Sequence, residues 1–268
     1  MTGNLTDREA EVWARLDRVT DPELDESVTS LGFVTSVAIA GGRVHVGFRL
    51  PTYWCAANFA FLMADDMRRE VSALPWVRGV TVELGEHMYS EQINAGLQQG
   101  RSFRDTFGDA AREDLGEVRR IFARKSFQRR QEQALQGLLD EGYSAADLVA
   151  LTVAELRALG PGADLAGRIE RYLQRRGEPG PFDEASPAFV DEAGCPLSAV
   201  ALGQHLRRLR GVTVNMEFNG SLCRGLLAAR FGEDQPDDPA AELRRFVQAA
   251  RTPIAGAETE RGEDPAAR

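Results

Sequence analysis

Apolar residues recur first with the period of a helix and then with that of a strand in the early part of the chain. Residues 7–19 repeat them every three or four positions, which predicts a helix. Pro22 ends this helix, because proline disfavours helical backbone in the residue before it. Residues 33–50 alternate apolar and polar positions, and Gly41-Gly42 supplies the positive φ angles of a two-residue turn. This segment is therefore predicted to be a β-hairpin.

A helical period returns after the hairpin, and a short apolar segment follows it. Residues 56–73 place their apolar side chains on one face, which predicts a second helix. Residues 77–84 are rich in valine and predict a third strand. The order helix, strand, strand, helix, strand describes a small module within residues 1–88. The fold class is therefore predicted to be α+β.

The central part of the chain is predicted to be mainly helical. Residues 89–178 carry almost no strand pattern, and we interpret them as a helical region that serves as a client-docking module. Thr152 and Glu155 have the spacing of a capping box, and Ser144 is a candidate N-cap. The predicted helices cover residues 126–141, 144–149, 152–159 and 164–175.

Residues 179–251 are predicted to form a small mixed α/β region. The predicted elements are a helix over 198–210, a strand over Val212–Phe218, a turn at Asn219-Gly220 and a helix over 239–250. The remaining residues, 252–268, are polar and acidic, which predicts a disordered tail.

Composition narrows the classes of function. The chain has 268 residues and a net charge of −9, which disfavours nucleic-acid binding because that function needs a basic surface. The polar start of the chain lacks the apolar core of a signal peptide, and no segment is long enough to span a bilayer. We therefore expect a cytoplasmic protein without a membrane partner. Lys125 is the only lysine, and the arginine bias suggests a GC-rich bacterial genome.

Candidate chemistry centres on Cys55, which follows Thr52 where a predicted strand gives way to a helix. The N–H groups and dipole at a helix N-terminus favour the thiolate form of a nearby cysteine. Thiolates bind soft metals and iron–sulfur clusters. Asp21 and Glu23 form an acidic turn that would add a hard ligand or a base if it packs near the cysteine. From chemistry alone, however, a single cysteine is more often core filler than a ligand.

Several short motifs occur in a characteristic order along residues 10–85. They are Asp21-Pro22-Glu23-Leu24, Leu31-Gly32-Phe33-Val34, Thr52, Cys55 and Val77-x-x-Val80. In this order they resemble the SufT- and PaaD-like family of metal-sulfur cluster assembly factors. The resemblance implies a role in assembling iron–sulfur or related metal centres. It also implies that Cys55 is the reactive or cluster-binding residue, with a cluster or iron bound transiently. The sequence departs from the family at Ala56, where proline is usual.

One cysteine does not complete a cluster site, since clusters typically need four protein ligands. A homodimer would pair two copies of Cys55, or Cys195 or Cys223 would join it, or a client or small thiol would complete the site. For Cys195 and Cys223 we favour a structural role. No histidine is assigned a catalytic role; His87 with Glu91 would form half of a metal site if that segment were helical.

Three functions remain open. The first is an accessory maturation factor for a client metalloenzyme, with a multicomponent oxygenase suggested by family association. The second is a folding chaperone or interaction scaffold in which Cys55 is dispensable. An enzyme with Cys55 as nucleophile ranks last, because no base is evident beside it.

Overall fold

The computed structural model describes residues 5–108 and 115–232, and its first part is the predicted module. In chain order it contains α1 (Leu5–Leu16), β1 (Val34–Ala40), β2 (Arg43–Phe48), α2 (Ala57–Ser72) and β3 (Gly79–Leu84). Strands β1 and β2 form the antiparallel hairpin, with Gly41 and Gly42 at positive φ. Strand β3 pairs parallel with β2, because α2 carries the chain back across the sheet. The predicted order of elements is confirmed.

The module buries one face of its sheet beneath helices. Val44, Val46 and Phe48 of β2 point into this core, where α2 adds Met63 and Met67. The opposite face of β2 is more exposed, because its residues alternate with the buried ones.

The helical region follows as predicted, with different boundaries. Its elements are α3 (Ser90–Gln98), α4 (Phe103–Phe107), α5 (Leu115–Asp140), α6 (Ala145–Ala150), α7 (Val153–Ala158) and α8 (Ala163–Leu173). Capping boxes at Ser144 and Thr152 begin α6 and α7. A second core forms here around side chains such as Phe127, Tyr172 and Phe189. The α+β class is confirmed.

The last described element, α9 (Ala199–Phe231), corrects the predicted mixed α/β region. The strand over Val212–Phe218 and the turn at Asn219-Gly220 are wrong, because both lie inside this 33-residue helix. From Leu202 to Gly220 its buried residues are spaced three or four apart, and they include Leu209, Thr213 and Met216. The predicted helix over 239–250 and the tail over 252–268 lie outside the described residues.

Helix α9 contributes to both cores. Leu202 and Leu209 belong to the core of the helical region, and Leu227 belongs to the core of the N-terminal module. All the described residues fall in one compact unit, Met1–Asp234, while the predicted domain boundaries stay predictions. None of the described helices combines the length and the apolar character that a membrane span requires.

Candidate functional site

Cys55 lies at the junction predicted for it, two residues before α2. Ala56 occupies the N-cap position and gives no side-chain hydrogen bond to the first turn of the helix. The thiol is partly buried, and the Thr52 hydroxyl oxygen lies 3.0 Å from its sulfur. If the sulfur is a thiolate it can only accept, so Thr52 would then donate. The structure therefore pairs Thr52 with Cys55, as the sequence had grouped them.

His87 fixes the backbone of the Cys55 loop. Its Nδ1 accepts the Tyr89 backbone N–H at 3.2 Å, so its Nε2 carries the proton and donates to the Cys55 carbonyl oxygen at 2.8 Å. Burial lowers the pKa of His87, partly opposed by the bond to Cys55. The histidine is buried and precedes α3, so the suggested helical pairing with Glu91 is wrong. The sequence carried no signal for this contact, because it joins residues far apart in the chain.

The acidic turn after α1 is built around Asp21. Its Oδ1 accepts the backbone N–H groups of Glu23 and Leu24 at 2.8 and 2.9 Å, which is the hydrogen bonding of an Asx turn. Burial raises the pKa of Asp21 to about 6; these two bonds lower it, and the charges of Glu23 and Glu26 raise it further. The side chain is thus a turn former with a buried carboxyl group.

Helix α5 holds this turn from one side. Arg130 forms a buried ion pair with Asp25, with nitrogen–oxygen distances of 2.7 Å, and Arg129 donates to the carbonyl oxygen of Leu24. Asp25 has a φ of 51°, a left-handed conformation that aspartate adopts more readily than most residues other than glycine. The ion pair holds this position beside the Asp-Pro-Glu motif.

Helix α9 packs Cys223 against the core of the same module. Burial raises the pKa of the Cys223 thiol to about 12, and the charges of Asp21, Cys55 and Glu23 raise it further. The structure thus places Cys223 within electrostatic reach of three candidate residues. Cys195 instead lies in an exposed turn before α9, where Asp191 accepts its backbone N–H at 2.9 Å.

The donor set near Cys55 does not form a complete metal site within the described residues. Among the described residues, no three His, Cys, Asp or Glu side chains are close enough to hold a metal ion as they stand. Thiols and a carboxyl group are nevertheless suitable ligands for iron or an iron–sulfur cluster, provided that a partner supplies the rest. The roles of Cys55, Asp21, Glu23 and Thr52 as binding residues stay predictions.

Exposed apolar side chains concentrate beside Cys55 and along the helix that carries Cys223. Nine large hydrophobic residues are exposed in the described part of the chain. Four of them form what we call the apolar rim, namely Tyr53, Trp54, Met88 and Tyr89. The backbone N–H of Met88 donates to the Tyr53 carbonyl oxygen at 2.9 Å, which joins the two halves of this rim. Three others, Phe218, Leu222 and Leu226, lie four residues apart along α9.

Comparison with known proteins finds similarity to the N-terminal module. Residues 9–84 match the family model described as iron-sulfur cluster assembly protein, which confirms the resemblance drawn from the sequence. The Fe-S cluster assembly factor HCF101, chloroplastic, of rice (Oryza sativa subsp. japonica) is 27% identical over 100 residues. That alignment covers 36% of this chain and 19% of the rice protein, so the chain spans about a fifth of its relative. The N-terminal module is therefore similar in sequence to iron–sulfur cluster assembly proteins.

Proposed function

We propose that this chain is an accessory maturation factor that assists iron–sulfur or other metal-centre assembly in a client enzyme. Cys55 acts in this proposal as a thiolate that carries the metal or cluster as cargo. The observation behind it is the position of Cys55 inside the matched segment, partly buried, at the N-terminal end of α2 and 3.0 Å from the Thr52 hydroxyl. Helix N-termini favour anions, and a hydroxyl donor stabilises a thiolate.

The surrounding residues have distinct roles in the proposal. Thr52 donates its hydroxyl hydrogen to the sulfur, and His87 holds the Cys55 carbonyl so that the loop keeps its conformation. The apolar rim, in which Trp54 is 72% exposed, contacts the client and keeps water from the cargo during transfer. A multicomponent oxygenase remains the proposed client, by family association alone.

We infer a carrier rather than an enzyme. A nucleophilic cysteine needs an oriented base. Both ring nitrogens of His87 are engaged by backbone groups of Cys55 and Tyr89, so this histidine is not aimed at the thiol. The three free cysteines support a reducing compartment, and we place the function in the cytoplasm.

Anaerobic reconstitution with iron and sulfide tests the carrier role. We expect the wild type to gain a visible sulfur-to-iron absorption and Cys55→Ser to lose most of it. Cys195→Ser is the matched control, because Cys195 is an exposed cysteine in a turn. An absorption that is absent from the wild type, or unchanged in Cys55→Ser, would overturn cargo binding through Cys55.

The exposed apolar rim also favours the second function, a folding chaperone for the client. The two functions differ in their need for the thiol. Client activity after co-expression with Cys55→Ser separates them: full maturation favours the chaperone, whereas loss favours the carrier. Trp54→Ser should impair maturation in both cases, so its failure to do so would exclude the rim as the client surface.

A further inference from the structure

One face of helix α9 lies against the Asp-Pro-Glu turn, the Leu-Gly-Phe motif and the segment that leads to Cys55. Asn219 donates to the Glu23 carboxylate at 3.3 Å, and Arg224 donates to Glu26 at 2.6 Å. Leu227 packs against Gly32, where an added methyl group would meet its side chain at 3.5 Å. These contacts tie α9 to the Asp-Pro-Glu turn and to the Leu-Gly-Phe motif.

The same helix face continues to the loop that carries Cys55. Arg230 donates to the carbonyl oxygen of Leu50 at 3.2 Å and to that of Glu86 at 2.6 Å. Leu50 precedes the Thr52-to-Cys55 segment, and Glu86 precedes His87, which holds the Cys55 carbonyl. The C-terminal turns of α9 are therefore fixed against both segments that position the first thiol.

Cys223 lies on this contact face, since residues 219, 223, 227 and 230 are spaced three or four apart in a helix. Cys55 and Cys223 are both free, both partly buried and both packed against the core of the module. Along α9, Cys223 lies between Asn219, which contacts the Asp-Pro-Glu turn, and Arg230, which contacts the segments that position Cys55. The helix thus packs a second free thiol against the same core, between the acidic turn and the Cys55 loop.

We propose that Cys223 is a second sulfur ligand of the Cys55 site, so that one chain offers two thiolates to a soft metal ion or an iron–sulfur cargo. This inference rests on the proposed function and deepens it. When the metal binds, each thiol loses its proton to solvent and forms a metal–sulfur bond, with no change of oxidation state. The client or a small thiol supplies the remaining ligands.

The second thiol changes how the site is completed. A single chain no longer needs a second copy of Cys55, so the homodimer considered from the sequence becomes unnecessary. It also gives α9 a function beyond packing, because the helix would carry a ligand as well as fix the motif turns. The alternative is that Cys223 is a small hydrophobic residue that merely fills space between α9 and the module.

Cobalt(II) binding under anaerobic conditions distinguishes a metal-binding Cys223 from a space-filling one. Cobalt–thiolate bonds absorb in the near-ultraviolet in proportion to their number. We compare the wild type with Cys55→Ser, Cys223→Ser and the control Cys195→Ser, adding cobalt(II) chloride alone. We expect Cys223→Ser to lose about half of the charge-transfer absorbance per bound cobalt, because one of two soft ligands is gone. Its cobalt affinity should fall by at least about tenfold, since even outer-shell changes cost that much.

The outcomes separate the inference from the proposed function. If Cys223→Ser matches the wild type while Cys55→Ser loses the absorbance, Cys223 is not a ligand and the carrier role of Cys55 stands. If neither substitution changes the absorbance, neither cysteine binds the metal, and the inference and the proposed function are both overturned. Cys223→Ala provides a second variant that buries no hydroxyl group, and circular dichroism of each variant verifies folding. Should Cys223→Ala fold and bind cobalt like the wild type, the inference is overturned.

Discussion

The carboxyl group of Asp21 is buried in the turn that follows α1, where one oxygen accepts two backbone N–H groups. Burial opposes ionisation, whereas the two N–H groups favour it. Burial is the larger effect, and it raises the pKa of Asp21 from 3.8 to about 6. Because the unfolded chain keeps the ordinary value, the folded protein binds this proton more tightly between these two pH values.

We therefore expect Asp21 to make folding less favourable as the pH rises from about 4 to about 6, by up to roughly 3 kcal/mol in total. Asp21→Asn removes the titration but keeps an oxygen for the N–H groups of Glu23 and Leu24. The free energy of unfolding of the variant should equal that of the wild type near pH 4 and should be larger at pH 7. Urea unfolding across this pH range measures the difference. A difference between the two proteins that does not vary with pH would contradict the expectation.

The elements of the N-terminal module could be predicted because each carries its own local pattern. Alternation in β2, the glycine pair of the hairpin and the apolar face of α2 all act within a few residues. Helix α9 was harder, because Val212, Val214, Met216 and Phe218 alternate like a strand and Gly220 resembles a turn. The helical spacing of its buried residues from Leu202 to Gly220 outweighs that local pattern.

At the scale of elements, we test whether the Arg130–Asp25 ion pair holds α5 against the turn that follows α1. The side chains of Arg130 and Asp25 are 8% and 4% exposed. Arg130→Met removes the cationic partner of the buried Asp25 carboxylate, which keeps the hydrogen bond from the Ser126 hydroxyl. It also removes the bonds from Arg130 to Arg171 and Gln174. Loss of one partner of a buried pair costs about 3–5 kcal/mol.

The matched control is Arg168→Met, in an exposed pair with Asp164 four residues away on α8. Exposed helical pairs contribute only about 0.3–0.5 kcal/mol. Urea unfolding of the two variants should therefore differ several-fold in lost stability. Equal losses would mean that the Arg130–Asp25 pair does not hold the turn.

At the scale of the whole molecule, the candidate site depends on contacts that no local pattern encodes. Asn219 meets Glu23 across 196 residues of sequence, and the position of Cys223 follows from such contacts. Cys55, Thr52 and Asp21 could be found from motif order, whereas the packing of Cys223 against the module could not, since it requires the path of α9. That path also links the two cores, because one continuous helix is buried in both.

A continuous α9 should make the two cores unfold together. Trp13 and Trp76 pack against the core of the N-terminal module, and the third tryptophan, Trp54, belongs to the apolar rim. Tryptophan fluorescence therefore reports on that module. Far-ultraviolet circular dichroism reports mainly on the helices. We expect coincident urea transitions by the two probes, which is the mark of cooperative unfolding.

Gly211 lies near the middle of α9 and is exposed, and an added methyl group there would meet nothing within 4 Å. Gly211→Ala should therefore stabilise the protein by about 0.5–1 kcal/mol and keep the transitions coincident. Gly211→Pro interrupts the helix at a cost of about 3 kcal/mol or more. It should also separate the fluorescence and circular dichroism transitions, because each core then keeps only its own half of α9. Transitions that stay coincident in Gly211→Pro would show that α5 or direct packing, rather than the continuity of α9, couples the motif module to the helical region.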